Sequence, residues 1–283
     1  MIDYDLHVHS TYSDGVLTPR ELFENAKQCG LKGLAITDHD TVDAIPTCKQ
    51  LSLLDEFNLD FIPGIELSTE YLGQELHILG YYIDSDNIEL LKILNSFKTE
   101  RYNRIIKMIT KIVELGYQIN LEEVLETSGG GQYSLGRPHI ARTLINKGYF
   151  ENMSGVFDKL LAVGKPGYIE RFKVSTVEGI QLIKNFNGIP VLAHPGLIKS
   201  NYFKLEDLIQ ELKNNGLMGI EVFHTDHTIE TSLALTRIAG KYNLLTTGGS
   251  DYHAPNSGRN TKMGSKGVTI HDVLKMKKIK DLL

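Results

Sequence analysis

The chain has 283 residues, of which 30 are Lys or Arg and 35 are Asp or Glu, so its formal net charge is −5. A chain of this length corresponds to one or two domains and can bury a large core without disulfides or structural metals. The acidic balance argues against a protein that coats nucleic acid through bulk charge, because such proteins are usually strongly basic. It is compatible with a local positive site.

The two cysteines carry no metal or disulfide signature. Cys29 and Cys48 show no CxxC spacing, so we expect both to fill the core. No apolar run approaches the roughly 18 to 20 residues of a membrane helix. The N-terminal segment contains Asp3 and Asp5 without a basic stretch, unlike a signal peptide. We therefore expect a cytoplasmic protein with no membrane partner.

Short apolar runs alternate with helical patterns along most of the chain. The runs that predict strands lie at 4–6, 33–37, 60–65, 75–82, 189–193, 219–223 and 244–248, with a final run at 267–270. Thr18 and Pro19, with Glu21 three residues after Thr18, predict a capped helix start. Apolar residues at helical spacing predict further helices over 177–183 and 205–212. This alternation predicts a parallel sheet or barrel.

The region from about 88 to 165 is helical throughout, apart from a glycine-rich interruption at 129–131. We interpret it as a helical lobe inserted into an α/β domain, with the barrel over 1–97 and 167–283 and the lobe over 98–166. Five of the eight arginines lie in or beside this lobe, between 101 and 171: Arg101, Arg104, Arg137, Arg142 and Arg171.

On a helical wheel, Arg101 and Arg104 flank the apolar stripe of Ile105, Met108 and Ile112. Arginines that lean inward need an anionic partner. That partner is either a barrel carboxylate or a substrate phosphate, which guanidinium binds bidentately.

Polar side chains with metal-ligating chemistry recur where the predicted strands end. They are His7, His9, His39, Glu66, His194, Asp251 and His253, and His77 can join them from within its strand. The carboxyl ends of parallel strands meet on one side of a sheet, so we expect one shared cleft. Burying Asp14, Glu66 and Asp251 there without cations would be prohibitive. Mixed imidazole and carboxylate ligands suit Mn, Fe or Zn.

Five motifs identify a family resemblance that covers most of the chain in order. The segments DLHVHSTYSDG (5–15), TDH (37–39), GIE (64–66), AHP (193–195) and GSDYH (249–253) resemble the PHP (polymerase and histidinol phosphatase) family. The resemblance implies a distorted seven-stranded α/β barrel with a small inserted helical lobe and two or three divalent ions. Manganese is favoured, with iron or zinc as alternatives.

The resemblance also implies which side chains hold each ion. It places one metal near His7, His9, Glu66 and Asp251, a second near Glu66, His77 and His194, and a third near Asp14, His39 and His253. Some relatives have histidine where this chain has Asp14, which keeps a ligand but makes the third site richer in oxygen. His224 and His227 are expected behind or at the rim of the site, and His271 is expected to be structural.

Segments of the lobe indicate one group within this family. The segments ERYNR (100–104), GRPHIAR (136–142) and GKPGY (164–168) are similar to bacterial TrpH-like phosphoesterases. That group includes 3′,5′-nucleotide bisphosphate phosphatases and an enzyme that removes nucleotides from RNA 5′ ends. We therefore predict a phosphoesterase in which a metal-activated hydroxide removes the 3′-phosphate of a small nucleotide bisphosphate, such as 3′-phosphoadenosine 5′-phosphate.

In this prediction, Arg101, Arg104, Arg137 and His139 contact the second phosphate or the nucleotide body. The leaving oxygen takes a proton from metal-bound water or from a nearby acid, Asp38 or His253. The alternatives are trimming of short RNA in the 5′-to-3′ direction and a histidinol-phosphatase-like activity. A non-catalytic metal-binding module is disfavoured, because all nine ligand positions are filled. No obligatory protein partner is expected.

Overall fold

The computed structural model of the chain describes residues 2–127, 135–170, 174–199, 204–254 and 261–283. Its strands form one seven-stranded sheet in sequential neighbour order. They are β1 (Tyr4–Val8), β2 (Gly33–Ile36), β3 (Asp60–Tyr71), β4 (Gln74–Tyr81), β5 (Ile189–Leu192), β6 (Gly219–His224) and β7 (Leu245–Gly249).

The two ends of the sheet approach each other and nearly close a barrel. Val8 at the end of β1 forms a parallel bridge with Tyr252, just after β7, and the His9 N–H donates to the Tyr252 carbonyl over 2.9 Å. The predicted seven-stranded barrel is confirmed. The run at 267–270 is not an eighth strand, because it makes only a single antiparallel bridge between Tyr4 and Val268.

The direction of β4 differs from the parallel arrangement that the alternation predicts. β4 runs antiparallel to both β3 and β5, whereas β1, β2 and β3 are parallel, as are β5, β6 and β7. The β3–β4 connection is a two-residue turn at Leu72 and Gly73, whose φ values of 48° and 82° match a type I′ hairpin. Glu66 and His77 therefore lie within this hairpin, and His77 pairs with Ser68 on the face that carries Glu66.

Helices pack around the outside of the barrel and form the lobe. The described helices are α1 (Pro19–Gln28), α2 (Ile45–Ser52), α3 (Ile88–Glu114), α4 (Leu121–Glu126), α5 (Arg137–Asn146), α6 (Met153–Val156), α7 (Thr176–Asn185), α8 (Leu205–Asn214), α9 (Ile229–Lys241) and α10 (Ile270–Lys280). The capping box at Thr18 and Glu21 is confirmed at the start of α1. None of the described helices is long and apolar enough to span a membrane.

The lobe has its own hydrophobic cluster, and α3 joins it to the barrel. Leu90 and Leu94 of α3 pack into a cluster with barrel strands and helices, whereas Ile105, Met108 and Ile112 pack against α5 and a π-helical turn at Phe157–Leu161. The helix thus continues through the predicted boundary at 97/98, and the domain limits stay a prediction. The glycines at 129–131 lie outside the described residues.

The barrel interior is filled by a separate cluster from β1 to β5. The Tyr81 hydroxyl donates to the Leu6 carbonyl over 3.0 Å, which links β4 to β1 across the barrel, since these strands are not neighbours. Of the two cysteines, Cys48 is buried as expected, but Cys29 is exposed. Cys29 is the C-cap residue of α1, where the helix ends at the surface.

Candidate metal centre and substrate cavity

The nine predicted metal ligands come together at one end of the barrel. Three groups of their ligand atoms each lie within 4.8 Å of one another. The groups are His7, His9 and Glu66; His39, Glu66 and His77; and His9, Asp14, His39 and His253. Residues more than 200 positions apart in sequence thus meet because strand ends converge.

Glu66 of β3 stands at the centre of the cluster. Its Oε2 lies 3.4, 3.2 and 3.1 Å from nitrogens of His7, His9 and His39, and its Oε1 lies 2.9 and 3.1 Å from nitrogens of His77 and His194. Five imidazoles around one buried carboxylate allow it to bridge two cations.

Two further carboxylates complete the cluster. Asp251 Oδ1 lies 3.5, 3.4 and 3.4 Å from nitrogens of His7, His9 and His253. Asp14 Oδ1 lies 3.1 Å from His253 Nε2 and within 4.0 Å of His9 and His39 nitrogens. The oxygen-rich position at Asp14 is thus part of the same cluster.

Several buried atoms of the cluster have no hydrogen-bond partner among the described residues. They are His7 Nε2, His9 Nε2, Asp14 Oδ1, His39 Nδ1 and Glu66 Oε2. Each such atom costs about 1–3 kcal/mol when it is left unsatisfied, so their concentration in one place calls for a shared partner. Imidazole nitrogens and carboxylate oxygens are suitable donors for divalent transition metals, and the residues therefore fit the cations that the family implies.

The carboxylates are held ionised by the histidines. Burial alone would raise the pKa of Glu66, but the surrounding imidazoles of His39, His77 and His7 bring that pKa well below its usual range. Burial would likewise lower the pKa of His9, but the facing Asp251 and Glu66 raise it to about 10. Binding of a metal at His9 therefore displaces a proton, as expected for imidazole ligands.

Glu221 on β6 is a site residue that sequence reasoning missed. It is fully buried, its Oε1 lies 3.0 Å from His7 Nδ1, and its Oε2 accepts the His194 backbone N–H over 2.8 Å. These contacts orient two predicted ligands from behind, as carboxylates commonly do for metal-binding histidines. The available signal was a carboxylate inside the otherwise apolar run 219–223.

The two histidines expected near the site lie behind it. His224 is buried, with Nε2 3.4 Å from Asp251 Oδ2. His227 has Nδ1 3.0 Å from the Val222 carbonyl, and its Nε2 accepts the Gly196 N–H over 3.0 Å. Both support the segments that follow β5 and β7 and do not line the cavity.

Asp38, a predicted proton donor, is not brought to the cavity. It is buried, and it accepts hydrogen bonds from the Ser10 N–H over 2.8 Å and from the Ser10 and Ser13 hydroxyls over 2.6 Å each. Burial raises its pKa, and Ser13, whose hydroxyl lies 3.4 Å from His9 Nδ1, connects it to the metal-ligand cluster. Asp38 itself does not line the cavity, and its catalytic role stays a prediction.

Left-handed backbone conformations orient several side chains of the site. His194, Asp251 and Asp40 have φ values of 32°, 53° and 54°, a region that non-glycine residues rarely occupy and that often marks functional sites. Gly249 permits the close contact of β7 with β1, since a Cβ there would lie 2.3 Å from the Cβ of His7.

A cavity of about 1170 Å³ opens onto the cluster and is lined by both the barrel and the lobe. Four lobe arginines line it: Arg101, Arg104, Arg137 and Arg142. Two of them form ion pairs with carboxylates of the barrel, which is one of the two kinds of partner that the sequence predicts. Arg101 pairs with Asp40, and Arg137 Nη2 lies 3.3 Å from Glu75 Oε2.

Among the described residues, the other two arginines contact main-chain carbonyls and one aromatic ring. Arg104 donates to the Ile169 carbonyl over 2.7 Å and lies 5.3 Å from the centre of the Tyr168 ring. Arg142 donates to the Asp14 carbonyl over 2.8 Å. In the part of the chain that the structure describes, neither guanidinium forms an ion pair with a carboxylate. Burial lowers the pKa of Arg104 to about 10, which leaves it charged at neutral pH.

His139, a predicted phosphate contact, is also not placed at the cavity. It is 1% exposed, and its Nδ1 accepts the Gly136 N–H over 2.9 Å at the start of α5. Burial lowers its pKa to about 4, so it is neutral at physiological pH. It caps α5 and does not line the cavity, and its phosphate contact stays a prediction. Arg171 lies outside the described residues.

A family model supports the resemblance. The model of the PHP domain matches residues 5–214. The chain belongs to the PHP domain family. Its fold agrees: the structure of a protein from Bifidobacterium adolescentis, assigned as a metal-dependent phosphoesterase, superposes with a TM-score of 0.88 at 29% identity and covers 96% of this chain and 94% of its own.

Curated PHP relatives act on phosphate esters. The 5′-3′ exoribonuclease Rnm of Escherichia coli is 34% identical over 89% of this chain and 85% of its own length. A phosphoribosyl 1,2-cyclic phosphate 1,2-diphosphodiesterase of Eggerthella lenta is 32% identical over 88% and 93%. A 3′,5′-nucleoside bisphosphate phosphatase of Chromobacterium violaceum is 30% identical over 91% and 90%. The chain is a metal-dependent phosphoester hydrolase, which confirms the prediction of an enzyme over that of a non-catalytic module.

Proposed function

We propose that this PHP hydrolase removes the 3′-phosphate of a small nucleotide 3′,5′-bisphosphate, releasing a nucleoside 5′-monophosphate and phosphate. The observation that carries the proposal is the shared cavity. It contains the cluster of metal-ligand side chains and four arginines, two of which have no carboxylate partner among the described residues. A substrate with two phosphates supplies one anion for the metal centre and another for the arginines.

The proposed metal centre uses the nine clustered residues. Two or three divalent ions, with manganese favoured, would be held by His7, His9, Asp14, His39, Glu66, His77, His194, Asp251 and His253. Bound ions supply positive charge that polarises phosphoryl oxygens and lowers the pKa of water. Glu221 orients His7 and the His194 backbone from behind.

The arginines position the substrate and neutralise its charge. Arg142 donates to the Asp14 carbonyl beside the cluster and would bind the phosphate that leaves. Arg104, with Arg101 and Arg137, would bind the second phosphate. Guanidinium groups bind phosphate with paired, charge-assisted hydrogen bonds, and positioning and charge neutralisation supply most of the rate in phosphoryl transfer.

One proton must reach the 3′-oxygen as its bond to phosphorus breaks. His253 is the proposed donor when two cations are bound and its own site is empty, since it lines the cavity and its Nε2, which would otherwise hold a third cation, lies 3.1 Å from Asp14 Oδ1. Its two nitrogens face Asp14 and Asp251, which hold the ring in place. Asp38 is the less favoured donor, because it is buried and does not line the cavity.

Trimming of short RNA from its 5′ end is the second candidate. It is favoured by the 34% identity to the exoribonuclease relative and by a cavity of about 1170 Å³, which exceeds the volume of one mononucleotide. Against it, Glu100, Glu151 and Asp158 line the same cavity. Carboxylates without bound cations repel an extended phosphate backbone.

Phosphate release with three substrates tests the proposal. The Mn²⁺-loaded protein is given 3′-phosphoadenosine 5′-phosphate, histidinol phosphate and a 5′-phosphorylated RNA trinucleotide. We expect kcat/KM to be highest for the bisphosphate. A higher value for the RNA, with release of mononucleotides, would favour the second candidate, and no turnover of any substrate with metal bound would refute the phosphatase.

Two variants locate the activity. His194→Ala is expected to abolish it. Arg104→Gln is expected to raise KM for the bisphosphate about tenfold or more, because a hydrogen bond to a charged group contributes about 1.5–3 kcal/mol. The matched control is Arg237→Gln on the exposed face of α9, which should leave KM unchanged.

A further inference from the structure

The lobe contributes an aromatic and apolar wall to the cavity, apart from the metal centre. Phe157 and Met153 line it, together with Ile145 of α5. Phe157 is the first residue of the π-helical turn at Phe157–Leu161 that directly follows α6. Short π-helical turns often occur at functional sites.

A chain of contacts leads from the metal centre to this wall. His77 Nε2 lies 3.3 Å from Glu75 Oε1, and Glu75 Oε2 lies 3.3 Å from Arg137 Nη2. The Arg137 guanidinium lies 5.6 Å from the centre of the Phe157 ring. Moving outward, the order is therefore a metal ligand, a carboxylate that holds the guanidinium, the guanidinium itself and then an aromatic ring.

This order matches the chemistry of a nucleotide, in which a phosphate is followed by a sugar and a flat base. A nucleobase stacks on aromatic rings and on guanidinium planes, and every base has a π-face. Asn146 and Asn152 line the same cavity. The Asn146 amide can donate to and accept from base edges, and the Asn152 amide can donate, since its oxygen already accepts the Gly155 N–H.

We infer that Phe157, with Met153 beside it and Arg137 against its ring, forms a nucleobase-stacking subsite on the lobe. This inference rests on the proposed nucleotide substrate. It assigns to this subsite the selection of nucleotides over phosphate esters that have no base. The barrel supplies the chemistry, and the lobe recognises the base. Phe157 is here a substrate-binding residue and takes no part in bond breaking.

Binding measured by calorimetry on the metal-loaded protein separates base recognition from turnover. AMP is compared with ribose 5-phosphate, which has the same sugar and phosphate but no base. The wild-type protein should bind AMP more tightly. Phe157→Leu keeps an apolar side chain in the lobe cluster but removes the ring, so AMP affinity should fall about tenfold while ribose 5-phosphate affinity stays unchanged.

Two further variants exclude a loss of folding. Phe157→Tyr should retain the affinity for AMP. Phe150→Leu makes the same change at a residue that packs against the same lobe cluster and stacks on Tyr117 but does not line the cavity, and it should bind both ligands as the wild type does. Equal effects of Phe157→Leu on both ligands, or no effect on either, would overturn the inference. Base-dependent binding without turnover of the bisphosphate would refute the proposed function and leave the subsite standing.

Discussion

Glu221 contacts two residues of the candidate metal centre. Its Oε1 lies 3.0 Å from His7 Nδ1, and its Oε2 accepts the His194 backbone N–H over 2.8 Å. The contact at Nδ1 leaves His7 Nε2 directed at the cluster, and the contact at the backbone holds His194 in its left-handed conformation. We predict that Glu221→Gln weakens Mn²⁺ binding about 10- to 100-fold, the usual effect of removing such a supporting carboxylate.

Calorimetric titration of the metal-free protein with Mn²⁺ measures this effect. The control is Glu230→Gln in the exposed first turn of α9, for which wild-type affinity is expected. Wild-type affinity in Glu221→Gln would show that the carboxylate does not orient the ligands.

His139 links the stability of the lobe to pH. Its folded pKa of about 4 lies below the ordinary value of 6.5 because burial disfavours the charged ring. The unfolded chain therefore binds a proton between these pH values that the folded chain does not. The stabilising contribution is complete above pH 6.5 and is lost as the pH falls toward 4, by about 3 kcal/mol in the free energy of unfolding.

Urea unfolding in the presence of a chelator, from pH 7 to pH 4, tests this prediction. His139→Asn retains an acceptor for the Gly136 N–H but does not titrate, so its stability should approach that of the wild type as the pH falls. The other histidines are present in both proteins, so their contributions cancel in the difference in unfolding free energy between His139→Asn and the wild type. The control His271→Asn changes an exposed residue, and its unfolding free energy should differ from that of the wild type by the same amount at every pH. A constant difference for His139→Asn would contradict the assignment.

At the scale of elements, the strand positions were predictable because each strand is a short apolar run bounded by polar residues. The direction of β4 was not, since its type I′ turn at Leu72 and Gly73 lacks the Asn-Gly or Asp-Gly pair that usually signals one. The same turn places His77 beside Glu66.

The candidate site was predictable to the extent that its residues form local motifs. The HxH and DxH spacings put two side chains on one face of an extended segment. Glu221 lies in no such motif, and the GRPHIAR segment that contains Arg142 does not reveal its contact with Asp14. Both residues matter through contacts with residues more than 100 positions away. The burial of His139 and Asp38 likewise depends on packing between elements, which spacing does not reveal.

The ion pair between Arg101 on α3 and Asp40 after β2 joins the lobe to the barrel. Both side chains are largely buried, at 18% and 11% exposure, and Asp40 also accepts the Ser68 N–H over 2.7 Å. We predict a coupling of about 1–3 kcal/mol in a double-mutant cycle of Asp40→Asn and Arg101→Gln, since neighbouring charged residues couple in this range.

Unfolding in urea of the two single variants and the double variant gives this coupling. The exposed pair Arg20 and Glu56, with side chains 53% and 52% exposed, is the comparison and should couple by less than about 1 kcal/mol. Equal couplings for the two pairs would show that the Arg101–Asp40 pair does not fasten the lobe.

At the scale of the whole molecule, the net charge of −5 conceals an uneven distribution. Three carboxylates with several histidines are buried together at one end of the barrel, and four arginines from the lobe line the same cavity. An acidic chain can therefore carry a cavity that binds anions once cations occupy the cluster. The distribution of charge in the fold, and not its sum, decides which ligands the molecule accepts.

Metal removal should lower the stability of the entire chain, because the ligands come from strands at both ends of the sequence. A cation that binds only the folded state at about 100 times its Kd stabilises it by about 2.7 kcal/mol, which for a chain of this size corresponds to a rise in Tm of about 5–10 °C. Thermal unfolding with Mn²⁺ and with a chelator measures the rise in Tm.

In Glu66→Gln the rise should be nearly absent, since this carboxylate contacts five imidazoles of the cluster. Glu122→Gln on the exposed surface of α4 should retain it in full. A full rise in Glu66→Gln would place the stabilising cation elsewhere, because cations held around Glu66 would lose a charged ligand.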